Sequence, residues 1–355
     1  MLHLKLIFFP VLILFNILGY SIVFKKIFKL EDQNLFNNLI YGSLLIATLS
    51  YGINFFSPLT LIITNIFFAI FTILGFFYIF NIKNVKEYSL IFLILSIVSL
   101  MTYYSKSYND YELYHLPYME LIRKFKIIFG ISNLDFRFGH SSVLQNISAF
   151  QYNNLMGYDS YIFFSPILTV SSIIFLLRYM YKTKDIKIFL ISLIIIIFYA
   201  IHASRYSSLG NDYPTHALAS ILIVLFLDTI NSYKENNSIF IIFCLCTLII
   251  LSKFSLVFFS FIPLYLLIFK RNVFFLEFSI YKVLFLLFLT SLFFIKNIVN
   301  TSCLVYPIPY LCFNTTWSLD KYEHGSPEIV SVISSRTIKN YVQSSHGYNF
   351  QKKKR

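Results

Sequence analysis

The chain has 355 residues, 57% hydrophobic, 20% aromatic and 13% charged, with a formal net charge of +13 and a mean hydropathy of +0.71. A soluble domain carries about 25% charged residues, so roughly half the usual solvating charge is missing and a water-soluble globule is excluded. The Lys and Arg residues are dispersed at the ends of apolar runs, a pattern of membrane-side anchoring that requires no nucleic acid.

Apolar runs of about eighteen residues or more are long enough to cross about 30 Å of hydrocarbon as helices. In chain order they fall near 4–24, 36–55, 58–81, 88–104, 161–181, 187–203, 213–230, 238–252, 254–270 and 276–298. This predicts an all-α polytopic membrane helix bundle of about ten spans with a long helical extracytoplasmic loop. The expected organisation is N-terminal spans over 1–104, the loop over 105–160, a C-terminal bundle over 161–298 and a polar tail over 299–355. On loop lengths the first four spans read as an accessory bundle. The first run has no small-residue cleavage site and leads directly into another span, so it is read as a span and not as a signal. Only Lys253 separates the two shorter runs, 238–252 and 254–270.

Basic residues set the expected orientation. Lys25, Lys26 and Lys29, Lys83 and Lys86, Arg178 to Lys187, and Lys270 with Arg271 all occupy connections on one side of a ten-span chain, which should be the cytoplasm. The loop 105–160 then lies outside, although Arg123, Lys124, Lys126 and Arg137 run against the rule.

That loop opens on "NDYELYHLPYMELIRKF", residues 109–125. Leu113, Leu116, Leu121, Phe125, Ile128 and Phe129 share an apolar side, opposite Glu112, Glu120, Arg123, Lys124 and Lys126. The pattern predicts an interfacial amphipathic helix, with Tyr114 and Tyr118 at headgroup depth and a kink or start near Pro117. Asn109 or Asp110 suits a helix N-cap; a carboxylate at a membrane edge also suits a general base. Next comes "GISNLDFRFGHSSVLQNISAF", 130–150, where Ser141 or Ser142 reads as the cap of a second helix that Gly157 would end. Arg137 and His140 flank that helix N-terminus, either as a phosphate subsite or as ordinary surface residues beside a cap.

Further on, "SRYSSLGNDYPTHALAS", 204–220, places Asp212 and His216 four apart on one helix face. They read as cap and first-turn residues around Pro214, or as a pair facing the loop for acceptor or metal binding. Cys303 and Cys312 flank a short proline-containing loop on the oxidising side, which predicts a disulfide. Cys244 and Cys246 sit in an apolar run as inert thiols. Lys296, at the outer end of the last span, either snorkels or approaches a phosphate. Trp317 and Tyr322 read as interface anchors. No His, Asp or Glu constellation has recognisable metal spacing.

"NDYELYHLPYMELI", "GISNLDFRFGHSS" and "NTSCLVYPIPYLC", in this order, resemble a group of bacterial multi-pass membrane proteins from surface-polysaccharide gene clusters. That group is similar in turn to the GT-C glycosyltransferases, which take sugars from polyprenyl-phosphate carriers on the outer membrane face. The resemblance covers roughly 105–320. It implies Asp110 as catalytic base, with Arg137 and His140 as candidates for the donor phosphate; Tyr114 and His115 would shape the pocket, and Asp212 and His216 join the candidate substrate-binding residues on their own spacing. Two departures stand out. About four spans precede the loop, where GT-C enzymes usually have one. The chain also ends in "QKKKR" where further spans would be expected, as a truncated reading frame would.

The implied activity is transfer of a sugar from a polyprenyl-phosphate donor to a saccharide or lipid-linked acceptor, at the bacterial inner membrane and on its extracytoplasmic face. No certain cofactor follows, and a divalent metal is compatible with the chemistry. The expected partners are the lipid-linked sugar, the acceptor and membrane lipid, with no nucleic acid. An oligosaccharide repeat-unit polymerase shares the compartment and the long loops. A transporter or flippase would gather ionisable groups at mid-span, whereas here they collect at one edge.

Overall fold

A computed structural model of the chain describes residues 2–31, 34–80, 85–103, 111–202, 210–231 and 238–318. Asp110, residues 203–209 and the tail beyond Ser318, Tyr322 included, lie outside the described residues. The described chain is all-helical. Its long helices are α1 (Leu2–Phe28), α2 (Leu35–Phe56), α3 (Leu61–Phe80), α4 (Val85–Tyr103), α7 (Phe164–Lys182), α8 (Ile186–Ile201), α9 (Asp212–Asn231), α10 (Ser238–Ser252) and α13 (Ile280–Thr301). Shorter α5 (Leu116–Lys124) and α6 (Val143–Phe150) lie in the long loop, and α11 (Phe261–Phe269) and α12 (Arg271–Glu277) precede α13.

Each apolar stretch read as a span carries a helix, and six are long and apolar enough to cross a membrane: Ile7–Phe28, Leu35–Phe56, Leu61–Tyr78, Gly157–Lys182, Asp212–Ile230 and Ile280–Thr301. The apolar helices Tyr88–Thr102, Ile186–Ile201, Ile239–Ser252 and Phe254–Phe269 are shorter. Outward faces are aliphatic. Ile62, Ile66, Ile70, Ile73 and Phe77 form an exposed stripe along α3, and Ile186, Leu190, Ile194, Ile197 and Ile201 do the same along α8. In water such continuous stripes would drive association; against lipid they are the expected surface.

The interior is built on α1 and α2. Helices α1 and α3 meet backbone to backbone, because a Cβ at Gly19 would collide with the Phe71 carbonyl and one at Gly75 with the Phe15 carbonyl. Small residues allow this approach where no hydrophobic effect drives helices together. Asn16 adds hydrogen bonds to the Phe68 carbonyl at 3.0 Å and to Thr72 Oγ1 at 3.3 Å. α2 packs against α6, α10 and α13 as well as α1. The first spans thus pack directly against the later helices.

The long loop departs most from expectation. A π-helical turn over Tyr111–His115 leads into α5, with Pro117 in its first turn, where a missing N–H costs nothing. The buried face of α5 is Tyr118, Met119 and Ile122, while Leu113, Phe125 and Phe129 are exposed. Part of the side that the sequence makes apolar is therefore the exposed one, and Tyr118, read as an interface residue, is buried in the core. Polar bonds set the rotation instead. Asn54 of α2 donates to the Ile122 and Phe125 carbonyls at 2.9 and 3.0 Å, and Ile127 N–H returns a bond to the Asn54 carbonyl at 3.0 Å. Asn300 donates to Tyr118 Oη at 3.3 Å.

The second loop helix, α6, is buried along its whole length, with Ser142 at the N-cap position and Gln151 at the C-cap. It ends well before Gly157, which instead adopts a φ of +57° and opens the 3-10 turn leading into α7. Glu120 of α5 is held by Arg123 at 2.8 Å, Lys124 at 3.3 Å and Tyr161 Oη at 2.6 Å. Burial alone would raise its carboxyl pKa, but these hydrogen bonds and charges outweigh burial and hold it below the usual value. Trp317 folds back onto the loop, with its indole N–H on the Ile298 carbonyl at 3.3 Å and its ring edge-on to Phe129.

Replacing Asn54 with Ala leaves two loop carbonyls without their donor. Each unpaired buried group costs about 1–3 kcal/mol, so the thermal midpoint in detergent should fall clearly below that of the wild type. An unchanged midpoint would show that the loop is held by other contacts.

Candidate functional site

At one end of the bundle the start of α9, the ends of α10 and α13, and the long loop enclose a cavity of about 960 Å³. That volume suits a compact polar ligand or the head of a larger one. Tyr114, His115, Arg137, His140 and Asp212 all line it. Residues from distant stretches of the chain thus converge on one space. His216 does not line it: it is exposed on α9, one turn beyond Asp212.

The positions follow from local structure. His115 ends the π turn and is buried, with its Nδ1 2.6 Å from Gln145 Nε2 of α6. Asp135 caps the 3-10 turn Phe136–Gly139, accepting from Arg137 N–H at 2.9 Å, and also grips the Arg137 guanidinium at 3.0 and 2.7 Å. That guanidinium lies 5.2 Å from the Tyr114 ring centroid. Arg137 therefore presents a guanidinium already neutralised by a buried carboxylate, with its remaining N–H groups available as donors. Ser141 and Ser142, which precede α6, line the cavity, so the N-terminal end of that helix borders it.

His140 packs edge-on against Tyr306, with centroids 5.1 Å apart. The close fit depends on Gly139, because a Cβ there would lie 2.8 Å from two ring carbons of Tyr306. Burial pushes the His140 pKa below its ordinary value of 6.5. Near neutral pH it is an uncharged hydrogen-bonding imidazole. Burial likewise raises Tyr118 to about 12, against the lowering effect of its bonds to Ser141 and Asn300.

Opposite the loop, Asp212 pairs with Lys253 at 2.8 Å. The sequence puts Asp212 and His216 on one face, but the ammonium from the end of α10 takes the carboxylate. Lys253 was legible only as a break between short runs; a lone cation in thirty apolar residues is itself a signal of a functional edge. The last wall is Val305 to Ile308. Cys303 and Cys312 form a disulfide across the base of this loop, reinforced by Leu304 N–H on the Leu311 carbonyl at 2.8 Å and Phe313 N–H on the Ser302 carbonyl at 2.7 Å. The Tyr306–Pro307 bond within it is cis. Among the described residues no group of three His, Cys, Asp or Glu side chains could hold a metal ion.

The His140 shift carries a sign. Its folded pKa lies below its unfolded one, so the unfolded chain binds more protons and stability falls as the pH drops below about 6.5. His140→Gln should lose less thermal stability than the wild type between about pH 6.5 and 5.5. Parallel acid profiles for the two proteins would contradict a buried neutral imidazole.

No curated protein and no solved structure matches the chain. A family model does match, over residues 1–345. The chain belongs to the family described as a domain of unknown function, DUF8201.

Proposed function

We propose that this protein is a membrane glycosyltransferase that moves a sugar from a polyprenyl-phosphate donor to a saccharide acceptor in surface glycan assembly. The observation that carries the reading is the single cavity, at a bundle end, into which Tyr114, His115, Arg137, His140 and Asp212 converge. A lipid-phosphate substrate keeps its tail in the bilayer while phosphate and sugar emerge at the edge. A cavity among helix ends suits that geometry. The proposal includes about ten spans, the bacterial inner membrane, and a cavity facing the extracytoplasmic side.

The chemistry needs a proton acceptor for the attacking hydroxyl and stabilisation of the departing phosphate. Asp110, just before the π turn that carries Tyr114 and His115, is assigned as the base. Arg137 and the neutral His140 donate hydrogen bonds to the phosphate, and the N-terminal end of α6 supplies a favourable dipole. His115, fixed by Gln145, and Tyr114 shape the acceptor side. Asp212 with Lys253 forms the far wall.

Asp110→Asn preserves size and capping ability but removes the base. It should leave expression intact and lower transfer roughly 10²–10⁴-fold, read as surface glycan in a complementation assay. Wild-type glycan from Asp110→Asn would end the catalytic reading. A ladder of whole repeat units lost together, in place of one missing sugar, would identify a polymerase.

Leu134 is exposed on the loop and is a suitable labelling site. A Cys placed there should react with an impermeant reagent in intact spheroplasts. Protection until lysis would put the cavity on the cytoplasmic side.

A further inference from the structure

Lys296 lies on α13 and is 2% exposed, so it does not snorkel, nor does it line the cavity. Its Nζ donates to Asn146 Oδ1 of α6 at 2.6 Å and lies 5.1 and 5.5 Å from the rings of Tyr51 and Tyr118. Among the described residues no carboxylate is within ion-pair distance of it. Its surroundings offer further donors: Tyr51 Oη and Asn146 Nδ2 are buried without a hydrogen-bond partner. A buried ammonium with one amide acceptor and no counter-charge weakens a fold, and an apolar side chain of similar size would pack there at lower cost. Its presence needs a reason other than stability.

Its position supplies one. Phe293 and Asn297, on the same helix, line the cavity, as does Gln145 beside Asn146. Tyr118, whose ring faces the ammonium, is hydrogen-bonded to the cavity-lining Ser141. Lys296 therefore stands one layer of side chains behind the α6–α13 wall. Among the described residues, the cations that line the cavity are each compensated, Arg137 by Asp135 and Lys253 by Asp212. The basic group next to the cavity that no described carboxylate compensates is the hidden one, and an anion in the cavity would hold its proton.

We propose that Lys296 is a positioning residue that makes the α6–α13 wall an anion subsite, with a phosphate group as the ligand that completes its charge. It touches no ligand; it acts through its field across a wall of low polarisability, where screening by salt is weak. This rests on the proposed glycosyl transfer for the identity of the phosphate, and adds where the phosphate sits and what draws it. A unit charge at ~8 Å in an effective dielectric of ~20 changes an anion's binding constant about thirtyfold.

The test uses the full chain in neutral detergent at fixed ionic strength, with inorganic pyrophosphate as the probe and the thermal midpoint as the readout. Pyrophosphate should raise the wild-type midpoint. Lys296→Met should keep or raise the ligand-free midpoint while weakening the affinity for pyrophosphate, which carries several negative charges, by at least about thirtyfold. Lys296→Arg should retain the response. Adding Asp212→Asn to Lys296→Met frees the Lys253 charge and should restore part of it. A wild type indifferent to pyrophosphate, or a Lys296→Met protein stabilised as strongly as the wild type, overturns the proposal. A second arm compares polyprenyl phosphate with polyprenol. A wild type that responds to pyrophosphate but binds the two lipids equally overturns the lipid-phosphate reading and leaves the anion subsite standing.

Discussion

Everything at the open end of the bundle depends on how α2 holds the long loop. The side-chain amide of Asn54 takes two loop carbonyls and its backbone carbonyl takes a loop N–H, while Ser50 Oγ, one turn earlier, donates to the Asn146 carbonyl of α6 at 3.0 Å. In a medium without water, backbone groups of irregular chain must find partners within the protein. α2 supplies them from buried polar side chains. The loop is consequently part of the core, with α6 buried along its length and the Tyr118 face of α5 turned inward.

Once the loop is fixed, the cavity follows. α6 presents Gln145 to His115 on one side and Asn146 to Lys296 on the other. α13 contributes Phe293 and Asn297 to the wall, and its Asn300 reaches both Tyr118 at 3.3 Å and Ser141 at 3.4 Å. The stapled turn after α13 closes the remaining side with Tyr306, whose ring occupies the space that Gly139 leaves open. Among the described residues the cations that line the cavity are paired there, Arg137 with Asp135 and Lys253 with Asp212, while Lys296 behind the wall has no carboxylate partner.

Helix positions were readable in the sequence because apolar run length is a direct consequence of bilayer thickness. The convergence of Tyr114, His115, Arg137, His140 and Asp212 could be anticipated only as a set of polar islands on one side. The rotation of α5 was not legible. Hydrophobic periodicity groups Leu113 with Phe125 on one side, but the hydrogen-bonding partners of Tyr118 and of the Ile122 carbonyl lie on helices far away in sequence, and they decide which face turns inward. The same limit applies to Asp212. Its nearest neighbour on a helical wheel is His216, while its actual partner comes from the end of another helix. Lys296 looked like a terminal residue of a span because sequence cannot see that α6 and α5 fold over that end.

The clamp also has a consequence for biosynthesis. Asn54 waits for partners 68 and 71 residues downstream, and Ser50 for one 96 residues on. At the ordinary pace of translation, about 5–20 residues per second, that interval is on the order of ten seconds. The outer end of α2 must therefore begin life in contact with water or with the insertion machinery, and becomes dry only when the loop arrives. Asn16 faces a similar but briefer wait for Phe68 and Thr72. The nascent chain thus passes through a stage in which Asn16, Ser50 and Asn54 lack the partners that the folded chain gives them.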